Sequence, residues 1–313
     1  MSNTSSSVSE FILHCAIQSD QRSGIISALT IILLTSLFGN LLVISVIIAN
    51  PHLHAPMYLY IFTLATIDLA NSTVLIPKML SVLLLDSSAV PYGACVLQMF
   101  IVFHMEALLL CFMAVDRYIA IVHPLRYHSL ITNRTVCVGV LILNIFGIIV
   151  ILPFLFFVGE LSFCRTNILP FCFCDYATMV HISCSDNPKY LSLLSGAVFT
   201  IGVFSLGPIL FSYSRVALAA LKISDEGKRK VFSTCLTHLL VVGLFYVPLM
   251  LSYVLPGAGV KLSTEVYNVM VIVGNVLPPT MNPIIYSFRN KEINVCIHRI
   301  FTRKRTVLLV KKL

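Results

Sequence analysis

Met113-Ala-Val-Asp116-Arg117-Tyr118-Ile-Ala-Ile-Val-His123-Pro124-Leu-Arg126-Tyr127 is the stretch that decides how this chain is read. A long apolar run ends in an adjacent Asp-Arg-Tyr, and a basic segment broken by proline follows. Such a pair is costly within hydrocarbon and inexpensive at its edge. The stretch therefore reads as the mouth of a membrane helix, with an ionic pair placed to act as a switch.

The rest of the chain agrees. Of 313 residues, 58% are hydrophobic and 11% charged, against about 25% charged in soluble domains. The apolar residues fall in blocks long enough to cross a ~30 Å hydrocarbon core, which takes about 20 residues of helix. Seven spans are expected near Ile25–Ile48, Tyr58–Leu85, Ala94–Val122, Val136–Val158, Leu191–Leu218, Val231–Val254 and Val266–Tyr286. Turn chemistry separates them: Asn50-Pro51, Pro91-Tyr92-Gly93, His123-Pro124, the Gly159–Tyr190 loop, Asp225-Glu226-Gly227 and Pro256-Gly257. The fold class is all-α, a seven-transmembrane helix bundle forming a single domain over 1–313.

Lys and Arg set the orientation. With the N-terminus outside, 16 of them fall on the cytoplasmic side and 4 on the outer side. Lys78 lies near the outer end of span two, where its chain can snorkel. Residues 1–24 are then extracellular, 25–286 form the bundle, and 287–313 are cytoplasmic. The net charge of +8 belongs to loops and tail beside a lipid bilayer, not to a nucleic-acid interface. Met1–Ser9 lacks the basic start of a cleavable signal, so span one is expected to direct insertion. Asn3-Thr4-Ser5 is a glycosylation sequon on the outer side. Past span seven, Asn290–Phe301 places Ile293, Ile297, Ile300 and Phe301 on one helical face, an amphipathic segment expected along the inner leaflet. Cys296 there is a candidate for palmitoylation, or else an inert cysteine.

Further motifs sit at the helix ends. Gly39-Asn40 lies in span one, Asp68 in span two and Asn282-Pro283-Ile284-Ile285-Tyr286 at the end of span seven. With Asp116-Arg117-Tyr118 they resemble rhodopsin-like G-protein-coupled receptors. Leu53-His54-Ala55-Pro56-Met57-Tyr58, Lys230-Val231-Phe232-Ser233-Thr234-Cys235-Leu236-Thr237-His238-Leu239 and Pro283–Glu292 narrow the likeness. Together with Met113–Tyr127 they resemble the signature motifs of vertebrate odorant (olfactory) receptors, spread over most of the chain.

That resemblance implies roles. Arg117 would be held by Asp116 at rest and released on activation, when Tyr213 and Tyr286 swing toward it. A ligand biases such an equilibrium by differential affinity for its two states. Asp68 and Glu106, the acids well inside the bundle, would line a candidate sodium site with Asn40 and Asn282 nearby; otherwise they are a protonated structural network. No other cofactor is called for. Six cysteines, Cys15, Cys95, Cys164, Cys172, Cys174 and Cys184, fall on the oxidising outer side. The resemblance pairs Cys95 with Cys174 and Cys164 with Cys184, while Cys172 fits no position of the pattern.

One departure concerns the ligand end. The stretch from Cys95 to Glu106 is nearly one helical turn shorter than the family pattern. Candidate ligand-binding residues are Met99, Phe100, Phe103 and His104 on span three, and Phe199 and Val203 on span five. Tyr246, Met250 and Tyr253 on span six and Tyr267 and Met270 on span seven complete the set. Such a site is apolar with a few polar groups. Neither Met99 nor Val102, the two positions that could hold an amine-binding acid, is acidic. Residues Arg126–Arg134 and Lys222–Lys230 would help form the inner, G-protein-facing surface. The expected function is that of an odorant receptor, not an enzyme. It would bind a small organic ligand in the outer half and activate a stimulatory heterotrimeric G protein from the plasma membrane. The alternatives are another rhodopsin-like receptor with a lipid or peptide ligand, and a seven-helix transporter or channel.

Overall fold

The computed structural model describes residues 9–15, 17–86, 88–102, 106–163, 166–185, 187–221, 224–257, 260 and 263–310. Strand β1 (Glu10–Leu13) precedes α1 (Arg22–Ala49), and a short turn leads to α2 (Pro56–Leu85). Strand β2 (Ser88–Pro91), α3 (Tyr92–Val102), α4 (Glu106–Val122), α5 (Pro124–Leu130) and α6 (Asn133–Glu160) follow. After β3 (Ile168–Leu169) and α7 (Tyr176–Ile182) come α8 (Asn187–Ala220), α9 (Asp225–Gly257), α10 (Thr264–Arg289) and α11 (Lys291–Val310). The seven expected spans correspond to α1, α2, the α3/α4 pair, α6, α8, α9 and α10. Five of the described helices are individually long and apolar enough to cross a membrane: α1, α2, α6, and the stretches Ser192–Ala220 and Glu265–Arg289. Below, "inner" is the end that carries Arg117 and "outer" the end that carries Cys95.

Local chemistry sets the boundaries. Pro56 and Pro124 start their helices, where the missing N–H costs nothing. Thr132 caps α6 through a reciprocal box with Thr135. Asp225-Glu226, expected in a loop, instead form the first turn of α9. Acidic side chains favour a helix N-terminus, which carries partial positive charge. At the outer end of α2, Asp86 adopts φ 64° and ends the helix in the left-handed region.

Large apolar side chains such as Leu141, Phe156 and Phe211 remain exposed on the outside of the bundle, as lipid contact requires. Polar groups hold the inside together. Pro283 has no N–H, so the carbonyl of Pro279 one turn earlier lacks its helical donor. Asn40 Nδ2 donates to that carbonyl at 2.8 Å and Ser36 Oγ at 3.1 Å. Ser36 also shares a 2.6 Å hydrogen bond with Ser72. One helix defect thereby ties α1, α2 and α10 together. Gly39 makes the approach feasible, because a Cβ there would lie 2.9 Å from Pro283 Cγ.

The N-terminal segment is more structured than its polar composition suggests. β1 runs antiparallel to β2 and parallel to β3, giving a sheet of order β2-β1-β3. Phe11, Leu13 and Leu169 point into the outer core and are fully buried. Burying side chains of this size contributes about 1.5–3 kcal/mol each. Lys78 Nζ reaches outward to Ser88 Oγ at 2.5 Å, as snorkelling predicts.

At the inner end, α11 packs on α1 and α10. Ile293 and Cys296 are buried, with Ile297 and Ile300 against the same core. This apolar face therefore meets the bundle. Cys296 Sγ sits 3.5 Å from His52 Nε2 and is turned away from the surface that a palmitoyl transferase would need.

Candidate functional site

The inner end of α4 carries the Asp116-Arg117-Tyr118 triplet in which the sequence suggests a switch. Asp116 is 1% exposed, and its carboxylate is held from two sides. Arg117 Nη2 donates to Oδ2 at 2.8 Å, and the Tyr127 hydroxyl donates to Oδ1 at 3.0 Å. The His123-Pro124 break makes the second bond feasible, since it turns the chain into α5 and brings Tyr127 back beneath α4. Burial, and then the neighbouring Asp116 charge, push the Tyr127 phenol above its ordinary pKa. Tyr127 is therefore a firm donor at neutral pH.

Tyr118 points elsewhere. Its hydroxyl shares a 3.2 Å hydrogen bond with His123 Nε2, and its ring meets Phe211 edge-on. On the facing helices, the Tyr213 hydroxyl bonds His238 Nδ1 at 2.5 Å and the two rings stack. The Tyr286 hydroxyl is buried without a hydrogen-bond partner among the described residues. Asp116, Arg117, His238 and Tyr286 share a cavity of about 720 Å³ that also touches Arg229 and Glu292. Tyr213 and Tyr286 thus stand near Arg117, bonded to neither it nor each other. The arrangement stores one restrained guanidinium and two aromatic hydroxyls that could take it over.

Halfway along the bundle lies the polar centre. Asn282 Nδ2 donates to Asp68 Oδ2 at 3.0 Å, and Glu106 feels both Asp68 and Asn282. Asp68, Glu106 and Asn282 are all buried. Asp68 Oδ1, Glu106 Oε1, Asn282 Oδ1 and Asn40 Oδ1 have no hydrogen-bond donor among the described residues. Unpaired buried oxygens of this kind suit a small hard cation. No three His, Cys, Asp or Glu side chains cluster among the described residues, so such a site would rest on two carboxylates and carboxamide oxygens.

A family model for olfactory receptors matches residues 29–304. The chain belongs to the olfactory receptor family. Olfactory receptor 1E2 of Gorilla gorilla gorilla is 34% identical over 99% of this chain and 100% of its own length. Olfactory receptor 5H15 of Homo sapiens is 39% identical over 88% of this chain and 89% of its own. Olfactory receptor 1E16 of Mus musculus is 35% identical over 88% of each. Membership makes this a multi-pass membrane receptor with a seven-helix bundle, and not an enzyme.

The outer half of this olfactory receptor family member departs from several sequence expectations. Phe199 is 73% and Val203 53% exposed. Both stand on the outward face of α8, where lipid and not a ligand would meet them. Met99 is buried, and Tyr246 is buried with its hydroxyl donating to Ser205 Oγ at 2.5 Å. Tyr267 is half-buried against Phe171, with ring centroids 5.8 Å apart, and Met270 is half-buried nearby on α10. Phe103 and His104 lie outside the described residues, as do the side chains of Phe100, Met250 and Tyr253. The stretch short of the family pattern includes residues 103–105, which lie outside the described residues.

Covalent links close the outer end. Cys95 and Cys174 are bonded. Cys184 is in a disulfide, while Cys164 and Asn3 lie outside the described residues. Cys172, which fits no position of the family pattern, is bonded to Cys15. The N-terminal segment is thus fastened two residues from the link to α3. Arg22 pairs with Asp86, and the Cys174 amide donates to Gln98 Oε1 at 2.8 Å. Parity signalled this bond: four of the six outer cysteines pair by family pattern, leaving Cys15 and Cys172.

Proposed function

We propose that this protein is an odorant receptor that binds a small, mostly apolar organic ligand in the outer half of the bundle. It couples through its inner cavity to a stimulatory heterotrimeric G protein. The N-terminus faces outside and the C-terminus the cytoplasm, in keeping with the Lys/Arg bias. The observation that carries this reading is Arg117, held by Asp116 at the wall of the inner cavity. A G protein reaching into that cavity meets a cation that it can release. Ligand binding above favours the released state by whatever differential affinity it has for that state. Asp68 and Glu106 bind sodium in the resting state, an occupancy that the unpaired oxygens favour. Asn3 carries glycan.

The test is a cAMP assay over a panel of volatile organic molecules, in cells supplied with the stimulatory G protein. At least one compound is expected to raise cAMP in cells expressing the wild type, and Arg117→Ala is expected to abolish that response at equal surface expression. A response unchanged by Arg117→Ala would refute the coupling mechanism. Ion flux without any G protein would favour a channel instead.

A further inference from the structure

We propose that two copies of this receptor pair through α6, with the Asn144 carboxamides of the two copies hydrogen-bonded to each other in the middle of the membrane. The observation is the position of Asn144. It lies 11 residues into a 28-residue helix, about 16 Å along a rod of about 42 Å. It is exposed on the outer face of the bundle, so hydrocarbon surrounds it. The other carboxamides described within spans turn inward: Asn40, Asn71, Gln98, Asn268 and Asn282 are buried, and Asn275 is half-buried.

The Asn144 side chain is only partly satisfied by its own helix. Nδ2 donates to the Val140 carbonyl at 2.8 Å. A carboxamide has two N–H donors and an acceptor oxygen. One N–H and the oxygen therefore still need partners, and lipid tails supply neither. The exposed hydroxyls of Thr66 and Thr73 differ, because each spends its one donor on a carbonyl of its own helix.

What completes a carboxamide most simply is another one. Two copies inserted in the same sense can meet about an axis normal to the membrane, and residue i then faces residue i. Each Asn144 would donate its second N–H to the other's oxygen while keeping its bond to Val140. Polar side chains of this kind bring membrane helices together. The surroundings fit: Cys137, Leu141 and Ile148 are exposed, and with Asn144 they follow the i, i+4, i+7, i+11 spacing of one helical stripe. A second copy is preferred over another membrane protein because it brings the matching group at the matching depth.

Cys137 provides a built-in reporter. It is the exposed member of the described free cysteines, two turns from Asn144 on the same stripe. Full-length receptor in cell membranes would be treated with a mild thiol oxidant, and dimers read on a non-reducing gel. Energy transfer between C-terminally labelled copies would be measured in parallel. The expected result is a dimer band that Cys137→Ser removes. Asn144→Leu should lower both band and energy transfer several-fold at equal surface expression, and Asn144→Gln, which keeps the carboxamide, should restore them. A wild type with no Cys137-dependent band, or an Asn144→Leu variant with undiminished band and energy transfer, would overturn the proposal.

Discussion

Tyr127 and Arg117 divide one carboxylate between them: the phenol takes Asp116 Oδ1 at 3.0 Å and the guanidinium takes Oδ2 at 2.8 Å. Asp116 is therefore held twice, once from its own helix and once from the following loop helix. Tyr127→Phe removes only the second. A hydrogen bond to a charged group contributes about 1.5–3 kcal/mol, roughly a tenfold or larger shift in a two-state equilibrium. The expected phenotype is raised ligand-independent cAMP with normal surface expression. Basal signal equal to wild type would show that Tyr127 does not restrain the switch.

The stacked Tyr213–His238 pair holds one of the proposed acceptors of Arg117. Its hydroxyl is engaged with His238 and, in the proposed mechanism, is freed to reach the guanidinium. Tyr213→Phe should lower maximal ligand-stimulated cAMP several-fold. His238→Phe, which keeps a ring and frees the hydroxyl, should raise basal signal. The two variants moving in the same direction would argue against competition for that hydroxyl.

The Asp116–Arg117 pair was legible because the two residues are adjacent in the quoted stretch. Tyr127 lies in the same stretch, but its bond to Asp116 was missed, because only the proline turn into α5 brings it back beneath α4. His238 stood in a recognisable motif, yet its partner Tyr213 is 25 residues away on another helix, a contact that only packing reveals. The outer end was harder to read. Alternation in Glu10–Leu13 is too short to announce a strand against the polar residues before it. Phe199 and Val203 sit on a helix apolar all round, so periodicity could not say which side faces inward. Cys15–Cys172 was missed in the sequence, although setting aside the two family pairs leaves only these two of the six outer cysteines.

Asn40 and Gly39 test the joint around Pro283. Asn40→Leu would leave the Pro279 carbonyl with one donor fewer in a buried place, which costs about 1–3 kcal/mol. Gly39→Ala would force a methyl against Pro283 and cost a similar amount. Both variants should lower the thermal midpoint of detergent-solubilised receptor. Gly39→Ala should do so without changing any polar contact. A midpoint unchanged in both would contradict the packing described.

The outer lid depends on Cys15–Cys172. Replacing both cysteines by serine should lower stability by about 2–4 kcal/mol. Protease should then cut the Glu10–Leu13 region more readily, while Cys95–Cys174 stays intact. Equal proteolysis of variant and wild type would mean that the sheet alone fastens the segment.

Sodium supplies a test of the polar centre. If Asp68 and Glu106 hold the ion at rest, raising sodium at constant ionic strength should weaken an activating ligand in wild type. Asp68→Asn should remove the sodium dependence. The same dependence in both would place the effect elsewhere.

The most direct test is nucleotide exchange on purified stimulatory G protein, driven by full-length receptor in lipid discs with an activating odorant. Wild type should accelerate exchange on odorant addition, and Arg117→Ala should not, although it still binds the odorant. Equal acceleration by both would contradict the claim that Arg117, released from Asp116, passes the signal to the G protein.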